Sequence, residues 1–362
     1  MTIALLYGGR TREHEVSRVS ASGILRELDA IADVSVSPIG IDRGGTWYLQ
    51  DLESRRTEAG AGGALSIETD PARAVMLAPA GGLRLADGNA LAVDCAFPIV
   101  HGETGEDGVL QGALETAGVP YVGSGVGGSA VGIDKLRSKR LWEQAGLPIV
   151  PYLLVDRSDE PDFAALARNA DRAILENFGY PVFIKPNTAG SSVGTSRVSK
   201  PETLRKALEI ALEFDRVVLV EQALSVREIE TSILGNAQAR AFPPGEVIPT
   251  HEFYDYDAKY EDPNGADLCI PADIPPETAR TIEQMCLAAY HAVGASGMAR
   301  VDCFIERDGS AIYLNEINTL PGFTPISMYP KMVERGGVPY RDLLMELVRL
   351  GIERSATSVP SR

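Results

Sequence analysis

Ala299-Arg300-Val301-Asp302-Cys303-Phe304-Ile305-Glu306, then Arg307-Asp308-Gly309, then Tyr313-Leu314-Asn315-Glu316-Ile317-Asn318-Thr319-Leu320-Pro321-Gly322, is the stretch on which the reading of this chain turns. Two β runs flank a tight Gly-containing turn. Period-two alternation puts Arg300 and Asp302 on one face of the first strand, and Glu316 and Asn318 on one face of the second. If the strands pair, three oxygen-bearing side chains meet beside a fixed guanidinium. Hard-oxygen donors in that arrangement suit Mg²⁺ carrying phosphate, not zinc. The alternative is a surface hairpin with solvated charges, and apolar neighbours on both strands argue against it.

Upstream, Ile184-Lys185-Pro186-Asn187-Thr188-Ala189-Gly190-Ser191-Ser192-Val193-Gly194 is a strand ending in Lys, followed by a Gly/Ser loop. Small residues let backbone N–H groups approach phosphate oxygens closely. No G-K-[ST] follows, so this is not a Walker A loop. A Gly/Ser hairpin taken alone is more often a flexible turn, but a strand-borne ammonium beside it can hold a phosphate. Val217 to Glu221, then Gln222-Ala223-Leu224 and Arg227-Glu228, has the form of an adenine-edge hinge. Glu228 could accept from ribose hydroxyls; standing by itself, the segment reads first as a solvated charge cluster. His251 to Tyr260 is aromatic and charged, which suits a lid that excludes water or an ordinary exposed loop.

At the N-terminus, a buried run from Thr2 to Tyr7 ends at Gly8-Gly9, ahead of Arg10-Thr11-Arg12-Glu13-His14. The G-x-G-x-x-G fingerprint of dinucleotide binding is missing. Glu13 is either a favourable charge at a helix start or a ligand for a substrate ammonium. His14 and His101 read as loop-fixing residues before catalytic bases, and His291 as structural.

Composition sets outer limits. The chain has 362 residues, 34 Lys+Arg against 50 Asp+Glu, and net charge −16. Nonspecific nucleic-acid binding needs a basic face, so that role is not expected. Cys95, Cys269, Cys286 and Cys303 form no C-x-x-C pair and read as buried reduced thiols. No apolar run reaches the ~18 residues of a membrane span, and no signal-peptide pattern opens the chain, so a cytoplasmic enzyme is expected.

Strand and helix patterns alternate over residues 1–125, predicting an open, mostly parallel sheet with helices on its faces. Residues 52–90 show weak periodicity and read as short strands and loops. A small α+β unit is expected over 126–225 and a second α+β unit over 226–350, with 351–362 a frayed tail.

Taken in order, Glu13, Lys135, Lys185 with its loop, Glu221, Lys259-Tyr260, Arg300-x-Asp302 and Glu316-x-Asn318 resemble the ATP-grasp superfamily. The resemblance is closer still to the D-alanine–D-alanine ligases. It is carried by GGRTREHEVS, HGETGEDGVLQG, PYVGSGVGGSAVGIDKLRSK, IKPNTAGSSVG, VEQ, REIE, YDYDAKY, ARVDCF and NEINTLPGFTPISMYP, over nearly the whole chain except about 50–90 and the tail. It implies a three-domain ATP-grasp architecture, α/β then α+β. It also implies ATP-dependent joining of two D-alanines through an acyl phosphate, for peptidoglycan precursor synthesis.

The same resemblance implies roles for residues. Lys135, Lys185 and Ser192 would face ATP phosphates, with Lys259 reaching the γ-phosphate and Asn315 nearby. Glu221, Gln222, Ala223, Leu224 and Glu228 would bind the nucleoside. Asp302, Glu316 and Asn318 would hold two Mg²⁺ ions, or Mn²⁺ in their place. Glu13 would bind the first amino group, in a hydrogen-bonded set with Ser191 and Tyr260, and His101 would lie at the same substrate. Arg300 and the Gly322 backbone would stabilise the oxyanion, and Ser327 and Met328 would face the second carboxylate. A homodimer is implied, without membrane or nucleic-acid partners. Gln222 departs from the Lys common in the family, and 50–90 has no family signature. Tyr260 favours D-alanine as acceptor over D-lactate; D-serine and D-lactate ligases are the neighbouring readings.

Overall fold

The computed structural model describes residues 1–249 and 266–358. Its first sheet runs β6-β5-β4-β3-β2-β1-β7, from β1 (Thr2–Gly8), β2 (Ser35–Ile41), β3 (Trp47–Leu49), β4 (Ala74–Ala78), β5 (Gly82–Leu85), β6 (Ala90–Leu91) and β7 (Cys95–Pro98). Strand β1 is apolar and buried almost throughout because it lies between two parallel neighbours, β2 and β7. Helices α1 (His14–Asp29) and α3 (Val109–Ala117) cover the faces of this sheet.

Only the β2-β1-β7 portion is parallel, which corrects the expectation of a mostly parallel sheet. From β2 through β6 every pairing is antiparallel. The reason is connection length: Pro79 to Gly81 joins β4 to β5, far too short for the crossover that parallel strands need. The stretch expected to hold only strands and loops also contains α2 (Leu52–Gly60), capped by the Asp51 carboxylate accepting from Ser54 N.

Helices α4 (Val126–Ile133) and α5 (Lys135–Gln144) lead to the second sheet, β10-β9-β11-β8, entirely antiparallel. Its strands are β8 (Tyr152–Asp156), β9 (Val182–Pro186), β10 (Ser196–Val198) and β11 (Val217–Gln222), backed by α6 (Phe163–Asn177) and α7 (Pro201–Leu212). The third sheet runs β15-β14-β12-β16-β17, with β13 (Arg240–Ala241) on β12. It comprises β12 (Val226–Gly235), β14 (Gly245–Pro249), β15 (Ala266–Cys269), β16 (Gly297–Glu306) and β17 (Ile312–Asn318). One face packs on α8 (Pro276–Ala292) and Trp142 through Ile229, Val301, Cys303 and Ile317. The other face bears the charged residues.

Helices α9 (Met328–Arg335) and α10 (Tyr340–Ser358) close the fold, and α10 joins the core of the first sheet through Leu343, Leu344, Leu347 and Val348. Helix continues to Ser358, through most of the expected tail: the apolar stripe ends at Leu350, and beyond it Arg354 lies 4.0 Å from the centre of the Tyr121 ring and donates to Tyr121 O at 3.2 Å. Cys95, Cys286 and Cys303 are buried free thiols, whereas Cys269 is half-buried near the end of the edge strand β15.

Candidate active site

The charged face of the third sheet is built by the hairpin. In the β16–β17 ladder Arg300 pairs with Asn318 and Asp302 with Glu316, but the next pair is Cys303 with Leu314. Asn315 is therefore the extra residue of a β-bulge. The bulge lets Leu314 and Ile317, three apart, enter the same apolar core. It also turns both Asn315 and Glu316 toward lysines: Asn315 Oδ1 accepts from Lys185 Nζ at 3.2 Å, and Glu316 Oε2 lies 3.6 Å from Lys135 Nζ.

Arg300 lies between two carboxylates. Its Nε and Nη2 donate to Asp302 Oδ1 and Oδ2 at 2.8 and 2.7 Å, and Nε is 3.1 Å from Glu230 Oε2 on the adjoining β12. Burial works against the guanidinium charge, but Asp302 and then Glu230 outweigh it and hold the pKa well above its usual value.

The Gly/Ser loop leaves the end of β9 with Ser191 and Ser192 at φ +50° and +58°, a conformation costly for residues bearing a Cβ. At Gly194, φ is +71° and a Cβ would stand 2.5 Å from the Phe214 ring, so only glycine fits. Lys135 Nζ donates to Ala189 O at 2.7 Å, pinning the loop to the start of α5. Lys185 Nζ lies 2.6 Å from Glu221 Oε2, and Lys139 Nζ 2.9 Å from Glu221 Oε1. Glu221 was expected at the nucleoside; its side chain is almost wholly buried between these two lysines. Gln222 ends β11, and Ala223, Leu224 and Glu228 follow half-buried.

Burial pushes the Glu221 carboxyl up, but Lys139 and Lys185 overcome this and hold it at about 2, from an ordinary 4.5. A depressed carboxyl contributes stability above its unfolded pKa and loses it as pH falls through the folded value. Glu221→Ala is therefore expected to cost about 3 kcal/mol at pH 7, by leaving buried ammonium charge uncompensated. Urea melts should show that gap narrowing as pH falls from about 4 toward 2. Equal stability of the two proteins at pH 7 would refute the triad's role.

The opposite wall comes from the first sheet. Glu13 is the N-cap residue of α1, but its side chain makes no capping bond. Instead its Oε1 accepts from Ser191 Oγ at 2.6 Å, linking the first sheet to the Gly/Ser loop. Gly102, at φ +75°, allows that approach, since a Cβ there would stand 2.8 Å from Glu13 Oε2. His101 is buried, with Nδ1 3.2 Å from Leu320 O and 3.5 Å from Glu106 Oε1. Burial disfavours its charge, but Glu106 and then Glu13 prevail and raise its pKa. His14 fixes the preceding loop through Nδ1 and Gly9 O at 2.8 Å.

These elements enclose a cavity of about 150 Å³. Glu13, His101, Lys135 and Ser191 line one side; Arg300, Glu316 and Asn318 line another. Gly322, Ser327 and Met328 complete it, and Ser327 Oγ accepts from Thr324 N at 3.0 Å. Lys185, Ser192, Asp302 and Asn315 do not line it: Asp302 holds the lining residue Arg300, Ser192 follows the lining residue Ser191, and Lys185 and Asn315 contact each other beside the loop. Lys259 and Tyr260 lie outside the described residues, as does the whole of the expected lid from His251 to Tyr260. His291 is exposed on α8 and does not line the cavity.

Three residues at the site carry no signal in the sequence reading. Lys139 sits in a polar helix where nothing distinguishes it from its exposed neighbours Arg137 and Arg140. Glu106 hides among four acidic residues in 103–107 and 115, and Glu230 in the Arg227-Glu228-Ile229-Glu230 alternation, where period two with Glu228 was the available clue.

Among the described residues no group of three His, Cys, Asp or Glu is arranged to hold a metal ion. The expected donors are two carboxylates and an amide: Asp302 and Glu316 as cross-strand partners, with Asn318 two ladder positions along, opposite Arg300. That all-oxygen set fits a hard divalent cation.

A Gly/Ser loop pinned by Lys135, set against a carboxylate-bearing hairpin across a shared cavity, defines an ATP-grasp enzyme. Two family models match the chain: the N-terminal part of D-ala D-ala ligase over residues 2–124 and its C-terminal part over 141–349. The chain belongs to the D-alanine–D-alanine ligase family. It is 44% identical to a D-alanine–D-alanine ligase of Treponema denticola, across 99% of this chain and 97% of that protein. It is also 44% identical to D-alanine–D-alanine ligase A of Chromobacterium violaceum, across 97% and 95%. The structure of the D-alanine–D-alanine ligase from Coxiella burnetii superposes with TM-score 0.84 at 34% identity, covering 99% of this chain and 95% of that one. A D-Ala:D-Ser ligase from Enterococcus faecalis superposes with TM-score 0.82 at 33% identity, covering 97% and 99%.

Proposed function

We propose that this protein joins two D-alanines into D-alanyl-D-alanine with cleavage of ATP to ADP and phosphate, a step in making peptidoglycan precursors. The observation that carries the reading is the shared cavity of Glu13, Lys135, Ser191, Arg300, Glu316, Asn318 and Ser327, beside the 185–194 loop. Family membership over nearly the full length supplies the substrate class.

In this reading the carboxylate of the first D-alanine attacks the γ-phosphorus of ATP, releasing ADP and forming an acyl phosphate. The neutral amine of the second D-alanine attacks that carbonyl, forming the amide bond; phosphate leaves and the amine gives up a proton. Glu13, oriented by Ser191, holds the first ammonium, with His101 beside it. Lys135 and Lys185 screen repulsion between the attacking carboxylate and the phosphates, with Ser192 and Lys259 completing the phosphate contacts. Gln222, Ala223, Leu224 and Glu228 border the nucleoside. Arg300 and the Gly322 backbone face the developing oxyanion. Ser327 donates to the second carboxylate. Asp302, Glu316 and Asn318 hold two Mg²⁺ ions, for which Mn²⁺ can substitute; bound there, the ions supply charge neutralisation at the triphosphate.

Val247, Leu268 and Met328 line the cavity beside Ser327. An apolar wall suits the methyl of D-alanine. The D-Ala:D-Ser ligase among the structural neighbours makes D-serine the second acceptor to be tested. We further infer three units, over 1–125, 126–225 and 226–350, and a homodimer in the cytoplasm without nucleic-acid or membrane partners. Among the described residues no helix is long and apolar enough to cross a membrane. A net charge of −16 disfavours nucleic acid.

Phosphate release from ATP and Mg²⁺ with single amino acids, followed by mass identification of the product, tests the function. D-alanine alone should support turnover and yield D-Ala-D-Ala. Preferential capture of D-serine or D-lactate would replace the acceptor, and nucleotide binding without turnover on any acid would end the ligase reading.

A further inference from the structure

Lys139 stands one helical turn after Lys135 on α5, yet it is 0% exposed. Its ammonium lies 2.9 Å from Glu221 Oε1 and 5.8 Å from the centre of the Tyr152 ring. Taking an ammonium out of water costs several kcal/mol even after relaxation, and an apolar side chain of the same length would fill the place without that cost. Packing therefore does not explain a lysine here.

The charge does. Glu221 is 2% exposed and sits between Lys139 on α5 and Lys185 on β9, whose Nζ is 2.6 Å from the other carboxylate oxygen. With only Glu221 and Lys185 the pair would be neutral, and Lys185 would present an already compensated ammonium to an anion. Burial lowers the Lys139 pKa and Glu221 opposes that; protonated, this second lysine on the buried side restores one net positive charge to the group. Lys185 is the member nearest the site: it is half-buried and also meets Asn315, the bulged residue of the hairpin.

We propose that Lys139 is a positioning residue for nucleotide binding: it compensates Glu221, so that Glu221 holds Lys185 in place without cancelling the charge Lys185 offers to phosphate. This rests on the reading of Lys185 as a phosphate ligand. In a site shielded from water, a unit charge acts on phosphate across several ångströms, whereas its effect on neutral or zwitterionic partners further off is small.

The test is titration calorimetry with ADP in the presence of MgCl₂, together with separate KM values for ATP and D-alanine. Lys139→Met should weaken ADP roughly tenfold and raise the ATP KM in step, while the D-alanine KM stays within about twofold. Lys139→Arg, which keeps the charge, should retain ADP affinity. Lys139→Gln is the second neutral variant should the Met protein fail to fold. A folded Met or Gln variant that binds ADP like the parent overturns the proposal. So does an Arg variant that loses as much affinity as the neutral ones, because the role would then be packing. Lys185→Met separates the two readings: weakened Lys185→Met with unchanged Lys139→Met removes the Lys139 inference alone. Unchanged Lys185→Met removes the phosphate assignment of Lys185 and the inference with it.

Discussion

Glu316→Ala should lower kcat by at least about a hundredfold while the protein stays folded. Both halves follow from the hairpin. Glu316 pairs with Asp302 across the ladder and lines the cavity, so its carboxylate is where a divalent cation on the triphosphate would be shared. Losing it leaves phosphoryl transfer between two anions without adequate screening. Folding depends on different residues of the same strand, since Leu314 and Ile317 are the ones that enter the apolar core. The Glu316 side chain is about one-third exposed, and Arg300 and Lys185 keep nearer carboxylates in Asp302 and Glu221, so truncation leaves neither of these cations without a counter-charge. Coupled ADP release measures the first half, and thermal melts followed by near-UV circular dichroism the second. Near-parental turnover in a folded variant would remove Glu316 from the metal assignment.

Much of this arrangement was legible because it rests on local periodicity. Alternation placed Arg300, Asp302, Glu316 and Asn318 on common faces, and the ladder pairs them directly. Strand boundaries near Lys185 and Glu221 followed from apolar runs that end in charge. What escaped was non-local. Alternation cannot reveal the bulge at Asn315, which depends on how two strands accommodate each other. Helix α2 escaped because LESRRTEAG has no apolar stripe: its buried residues are Arg55 and Ala59, and Arg55 is held by Glu68 and Ser66 O from beyond the helix. Lys139 escaped for the same reason, since a buried lysine looks like a solvated one until its partner on a distant strand is known. Glu13 is the intermediate case. Its place at a helix start was readable, but only the contact with Ser191, 178 positions away, decides between capping and a site role.

Arg300→Lys is expected to lower kcat by about two to three orders of magnitude, the loss typical of removing one preorganised oxyanion donor. The substitution keeps a positive charge, so a large effect would report geometry. The guanidinium is held by three contacts that only its planar fork can make together: Nε and Nη2 on the two Asp302 oxygens, and Nε again beside Glu230. An ammonium can approach one of those carboxylates but cannot span both and still point a donor at the cavity. Charge retention also limits the damage to folding. Arg300→Ala would leave Asp302 and Glu230 facing each other across paired positions of β12 and β16 without a cation between them, and would confound catalysis with stability. The KM values for ATP and D-alanine separate the outcomes. Loss confined to kcat places Arg300 at the transition state; a matching rise in KM with kcat preserved would mean that it binds ground-state substrate. A lysine variant with parental kcat would show that a positive charge without the guanidinium's geometry is enough, and the oriented-donor role of Arg300 at the oxyanion would fall.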